Sequence, residues 1–287
     1  MIADLTTLLG LLELESAGPD HFVGSHPPEA STHVFGGQIA AQALVAAGRT
    51  VEDRVPNSLH SYFLRAGDTD SPTEYRVRRV RDGGAFANRQ VTAEQGGAVI
   101  YEAMISFCVQ RQGPDFHRPM PDVCGPDSLR RIEEILEPYA AEQDGWWVRP
   151  RAFDMRYVNA PPRLALDDPK PQKPVNQIWM RAGRDFMSAP ALNAALITYL
   201  TDMTLLDSVM RVDRRTSRGP GRVASLDHSI WFQRPADFSD WLLYDQSSPS
   251  AVDGRGMAAG YIYNRSGDLV CIVMQEGYLG SVQTTTS

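Results

Sequence analysis

Two stretches of this chain repeat each other. His60-Ser61-Tyr62-Phe63-Leu64-Arg65 returns as His228-Ser229-Ile230-Trp231-Phe232-Gln233-Arg234, an offset of 168 (228 − 60). Further on, Gly97-Ala98-Val99-Ile100 returns as Gly267-Asp268-Leu269-Val270, an offset of 170 (267 − 97). Two marker pairs at nearly one offset describe a duplicated module. The length of 287 residues fits two modules of roughly 100–150 residues each. A duplication also supplies an internal control. Where the copies agree, the fold is the reason; where only one copy carries polar chemistry, function becomes a candidate reason.

Each half reads as one buried helix followed by a run of strands. Residues 4–16 form a short amphipathic helix with Leu5, Leu8, Leu9, Leu11 and Leu12 on one side, and a loop rich in Pro and His follows. Gly36-Gly37 then opens a helix to about Gly48 that is small and apolar on nearly every side, and so is buried. Strand patterns occupy residues 58–64, 73–81, 86–94 and 98–109. Between 111 and 126 the composition shifts to Pro, Gly and charge, and a linker helix reads over 128–136. The second half has strands at 153–158 and 175–182, then a long helix over 190–210 with Ser188 as its N-cap. Strands at 222–233, 241–246, 256–264 and 269–278 complete it. The expected organisation is a first module over 1–113, a linker over 114–150 and a second module over 151–287. Its class is α+β, antiparallel sheet around helix, without the βαβ alternation of a doubly wound fold.

Composition narrows the function. A net charge of −7 argues against a nucleic-acid-binding surface. Three widely spaced cysteines, with no CxxC pair, fit a reducing cytoplasm. The first residues lack a signal-peptide pattern, the last four are not a peroxisomal address, and no apolar run spans a bilayer; no membrane partner is expected. There is no GxSxG elbow, no phosphate-binding P-loop and no dinucleotide GxGxxG. The six histidines are scattered without metal-ligand spacing, so neither metal nor cofactor is expected.

Three polar positions stand out against the internal control. Asp202 lies in the long second helix on a row of small and apolar residues (Ala191, Ala194, Ala195, Thr198, Leu205, Val209), where a carboxylate is costly unless bonded or useful. The first helix, 36–48, has no acid at all. Asp207, about 140° further round an uninterrupted helix, reads as solvated. Ser225 precedes the second His-Ser, where the first copy has Asn57; Gln275 lies in the last strand, where the first copy has Ile105, and reads as part of a cavity wall. Taken singly, Asp202 is equally a structural acid, while Ser225 and Gln275 are more often structural, as a strand hydroxyl and an edge residue. His60 and His228 occur in both copies, which favours a fold or interface role. Two arginine groups are candidates for phosphates, though solvated faces are the commoner use: Arg76, Arg78, Arg79 and Arg81, and Arg211, Arg214, Arg215, Arg218 and Arg222.

The segments Phe35-Gly36-Gly37-Gln38, His60-Ser61-Tyr62-Phe63-Leu64, Leu226-Asp227-His228-Ser229-Ile230-Trp231-Phe232 and Val273-Met274-Gln275-Glu276-Gly277 resemble the acyl-CoA thioesterase II family, over about residues 20–280. The resemblance implies a double hotdog, two tandem antiparallel sheets each wrapped around a central helix. It implies hydrolysis of acyl-CoA to free acid and CoA, by water activated at Asp202 with Ser225 and Gln275. The family pattern more often has Thr where this chain has Ser225; Ser keeps the hydroxyl and loses the methyl that restricts its rotamer. CoA belongs to the substrate, and a homodimer or higher homo-oligomer is the assembly the family suggests. Two other classes remain open: a non-catalytic acyl-CoA-binding protein, and a hotdog hydratase or dehydratase. Such dehydratases carry a helix His, and neither 36–48 nor 190–210 contains one.

Overall fold

The computed structural model describes residues 2–27, 33–182, 186, 189–219 and 221–280. The first half contains helix α1 (Leu5–Leu12), strands β1 (Glu15–Gly18) and β2 (His21–Gly24), helix α2 (Gly36–Gly48), and strands β3 (Val55–Phe63), β4 (Thr73–Asp82), β5 (Phe86–Gln95) and β6 (Ala98–Cys108). A connecting stretch holds helix α3 (Ile132–Ile135) among 3-10 turns. In the second half come β7 (Asp154–Tyr157), α4 (Pro162–Ala165), β8 (Val175–Arg181), α5 (Pro190–Thr201) and α6 (Asp207–Val212). Strands β9 (Val223–Ser225), β10 (Asp227–Phe232), β11 (Leu242–Val252), β12 (Arg255–Asn264) and β13 (Leu269–Leu279) follow.

All strands join one antiparallel sheet in the order β1-β2-β4-β5-β6-β3-β10-β13-β12-β11-β8-β7, with β9 also paired to β13. Read outward from the β3–β10 seam, the two sides run in matching order. At the seam His60 pairs with Ser229 and Ser61 with His228, so the repeated dipeptides face each other about a local two-fold axis. Ser61 Oγ donates to the His228 carbonyl at 2.9 Å, and His60 Nδ1 lies 3.2 Å from Ser229 Oγ. The interface role expected of the two histidines is thus visible in the hydrogen bonds. The sheet wraps α2 and α5, which pack on each other; Ala40, Ala41, Ala43, Ala46 and Ala47 of α2 are wholly buried. Small side chains permit that close approach, and the Phe35 and Tyr199 rings meet edge-on at 5.0 Å. This is the expected double hotdog.

Several local expectations are corrected. The first helix stops at Leu12, because residues 15–18 pair with β2. The Pro- and His-rich loop contains β2, which extends the sheet beyond β4. The linker helix shrinks to the four residues of α3. Ser188 lies outside the described residues, and Ala189 occupies the N-cap of α5. The strand over 222–233 breaks at Leu226, whose N–H is taken by the Glu276 carbonyl at 2.9 Å while its own carbonyl accepts from Phe63. In the first copy the same place is a bulge in β3, between Pro56 and Ser58.

The largest correction concerns the helix over 190–210. It ends at Thr201, and Asp202 is its C-cap rather than an interior residue. Through the turn that follows, bonds tighten to three residues, Met203 N to the Leu200 carbonyl at 3.1 Å and Asp207 N to Thr204 at 3.0 Å. The Thr201 carbonyl, released from the ladder, accepts from the Tyr244 hydroxyl at 3.0 Å. Leu206 is pressed onto Gly277, where an added Cβ would lie 2.6 Å from a leucine methyl. The break is therefore built by the sheet beneath it.

Candidate active site

Between the two halves lies a cavity of about 970 Å³. Its wall includes Gly36 and Phe63 from the first half and Asp202, Ser225, Leu206 and Tyr157 from the second. The end of α5 delivers Asp202 to this wall. Its Oδ1 accepts from Gln275 Nε2 at 2.5 Å and from Ser225 Oγ at 3.3 Å. All three residues singled out in the sequence therefore meet at one carboxylate oxygen.

Gln275 does not line the cavity, contrary to expectation. It is fully buried behind Asp202, on the helix-facing side of β13. Ser225, at the end of β9, does line it.

Sequence reasoning missed a fourth contributor, the start of α2. The Gly37 N–H donates to Asp202, and a Cβ on Gly36 would stand 2.9 Å from Asp202 Oδ2. A helix N-terminus carries partial positive charge and unpaired N–H groups, which favour a neighbouring carboxylate. The signal was present in Phe35-Gly36-Gly37-Gln38: two glycines opening an otherwise buried helix allow close approach. Desolvation is the larger influence on Asp202 and pushes its pKa up to about 6; the bonds from Gln275, Ser225 and Gly37 oppose it.

The residue before the carboxylate is also held. Thr201 Oγ1 lies 3.2 Å from His228 Nε2, and burial pushes the His228 pKa down to about 3, so the ring is neutral at ordinary pH. With Tyr244 on the Thr201 carbonyl, two buried side chains fix the backbone that presents Asp202.

In the first copy the equivalent space is filled. Ile105 pairs with Arg89 as Gln275 pairs with Ala258. Arg89 is 1% exposed and reaches Thr50 Oγ1 at 2.7 Å, the Thr50 carbonyl at 3.0 Å and Asp82 at 2.6 Å. A guanidinium plug stands where the second copy has the small side chain of Ala258.

The remaining candidates divide clearly. Arg76, Arg78 and Arg79 are engaged by Glu74, Gln90 and Asp20, and neither they nor Arg81 line the cavity. In the second group Arg211, Arg214 and Arg215 bind backbone carbonyls, whereas Arg218 and Arg222 line the cavity together with Arg65. Asp207 does not sit on an outer face: it is half-buried on the cavity wall, and desolvation pushes its pKa up to about 7. Among the described residues no cluster of His, Cys, Asp and Glu is arranged to hold a metal ion, and no helix is long and apolar enough to cross a membrane.

Comparison with known proteins is consistent along the whole chain. A family model described as acyl-CoA thioesterase matches residues 153–278, and one described as acyl-CoA thioesterase N-terminal domain matches residues 25–108. Acyl-CoA thioesterase 2 of Haemophilus influenzae is 32% identical over 96% of this chain and 97% of its own. A solved TesB protein of Mycobacterium avium is 36% identical, covers 97% of this chain and 100% of its own, and superposes with a TM-score of 0.80. The acyl-CoA thioesterase II TesB2 of Mycobacterium marinum is 37% identical, with coverages of 98% and 99% and a TM-score of 0.78.

Proposed function

The chain belongs to the acyl-CoA thioesterase family, whose members hydrolyse acyl-CoA thioesters, and from that premise we propose that it does so with a water molecule activated by Asp202. The observation that carries the mechanism is the convergence of Gln275, Ser225 and the α2 N-terminus on a carboxylate that faces a cavity. A carboxylate with its pKa near 6 is ionised at neutral pH yet basic enough to take a proton from water.

Water held between Asp202 and the Ser225 hydroxyl attacks the thioester carbonyl carbon, and Asp202 takes one of its protons. The carbonyl oxygen becomes an oxyanion, for which the Gly36 N–H, at the start of α2 and on the cavity wall, is a suitable donor. Collapse of this adduct breaks the carbon–sulfur bond. The thiolate leaves with the proton held on Asp202, giving free acid and CoA. Ser225 is not a covalent nucleophile in this scheme. Gln275, buried behind the acid, fixes the orientation of Asp202. Arg65, Arg218 and Arg222 on the cavity rim supply positive charge for the CoA phosphates.

The test is thiol release from acyl-CoAs of increasing chain length, by wild type, Asp202→Asn and Gln275→Ala. Loss of about 10²–10⁴ in kcat is expected for Asp202→Asn, the usual range for a general base, with folding intact. A folded Asp202→Asn enzyme of near wild-type rate would rule out this mechanism.

A further inference from the structure

Asp202 shares the cavity wall with a second acid. Five residues on, Asp207 opens α6 and lines the same space. Among the described residues its carboxylate accepts no hydrogen bond. Desolvation is the main influence on it, and the charge of Arg211 opposes that only in part. Arg211 is turned elsewhere, donating to the Ala160 carbonyl at 2.5 Å and to Gln172 Oε1 at 3.2 Å.

The wall has an exposed cationic part, with Arg65, Arg218 and Arg222, and a buried, mostly apolar part, with Leu136, Trp147, Met155 and Met210, where the buried Arg151 guanidinium is taken up by Glu133 and the Trp147 carbonyl. Asp207 belongs to the apolar part. It precedes Met210 by one helical turn, and its charge acts on Tyr157, two positions from Met155 on the same face of β7. The cationic rim suits CoA phosphates, which leaves the apolar wall to the acyl chain. A saturated chain lying there would strip water from the Asp207 carboxyl and offer nothing in return, a costly arrangement. A hydroxyl on the chain would satisfy it.

Resting on the thioesterase reading, we propose that Asp207 is a specificity residue of the acyl pocket, selecting acyl-CoAs that carry a hydroxyl group along the chain over unsubstituted chains of equal length. Asp207 stands beyond the turn that follows Asp202, at the start of α6 and not beside the acid, so the hydroxyl it receives is one removed from the thioester carbon. A site built to receive a hydrogen bond discriminates against analogues that lack it.

The experiment compares kcat/KM for octanoyl-CoA and for hydroxyoctanoyl-CoAs with the hydroxyl moved along the chain to the terminal carbon. Wild type should favour at least one distal isomer over octanoyl-CoA by about tenfold, the worth of one hydrogen bond to a charged group. Asp207→Leu should reverse that ratio. Asp207→Asn, which keeps the shape and an acceptor, should retain a weaker preference. Octanoyl-CoA favoured over every isomer by wild type, or a preference unchanged in both variants, overturns the role of Asp207 and leaves the thioesterase reading standing. Thiol release from none of the substrates overturns both.

Discussion

Asp202 is placed where it costs the fold free energy. Its carboxyl has a pKa near 6 against an ordinary 3.8, so the native state binds its proton more tightly than the unfolded chain does. Between about pH 4 and pH 6 the folded protein therefore holds more protons, and stability falls as pH rises through that window. Above it the full penalty applies, on the order of 3 kcal/mol at about 1.4 kcal/mol per pKa unit. Asp202→Asn should accordingly raise Tm by several degrees at pH 8 and by less at pH 4, read by calorimetry at both. An unchanged Tm at pH 8 would mean that burial does not burden this acid. Activity runs the other way: kcat/KM should rise with pH through about 6, as the base form appears. At this scale the sequence was partly legible: Asp202 and Gln275 stand where the sister copy has no acid and Ile105, whereas Ser225 stands opposite another polar residue, Asn57, and is singled out through the family resemblance. What it did not show was depth. Strand periodicity assigns Gln275 to a face, but cannot tell a cavity wall from the layer behind it.

Among the elements, the break between α5 and α6 explains both the success and the failure of the helical reading. Hydrophobic periodicity carries through residues 190–210, so the sequence looks like one helix. The interruption depends on partners far away in the chain: Tyr244, which takes the Thr201 carbonyl, and Gly277, which admits Leu206. Rotation counted along an unbroken helix then misplaces Asp207, which lies beyond the break. The first turn of α2 is the other element that sets the site. In Gly36→Ala the new methyl would crowd Asp202 Oδ2 and the Phe63 ring, each 2.9 Å away. A displacement of about 1 Å at a reacting group costs up to about 10² in rate. We expect kcat to fall by about tenfold to a hundredfold in that variant, with a Tm within a few degrees of wild type. A wild-type kcat would show that the α2 terminus does not set the position of the acid.

For the whole molecule, the duplication was the most legible feature and its asymmetry the least. The matching strand order follows from the offsets near 168. The fate of the first-copy site does not, because an arginine in an alternating strand reads as exposed, whereas Arg89 turns inward to Thr50 and Asp82. Arg89→Ala would leave those groups unpaired around a void, at a cost of about 3 kcal/mol. Thermal denaturation should show a Tm lower by about 6–10 °C, while kcat of the folded variant stays within about twofold of wild type. A large loss of kcat would give the first-copy plug a part in turnover. The place of β13 in the sheet bears on how the molecule is made. It lies between β10 and β12, yet it leaves the ribosome after both. Until it emerges, those two strands present open edges in the middle of the future sheet, a state prone to wrong pairing. A growing chain thus holds its acid long before it holds the glutamine that steadies it. Translation pauses ahead of residue 269 should favour aggregation over any partly active form.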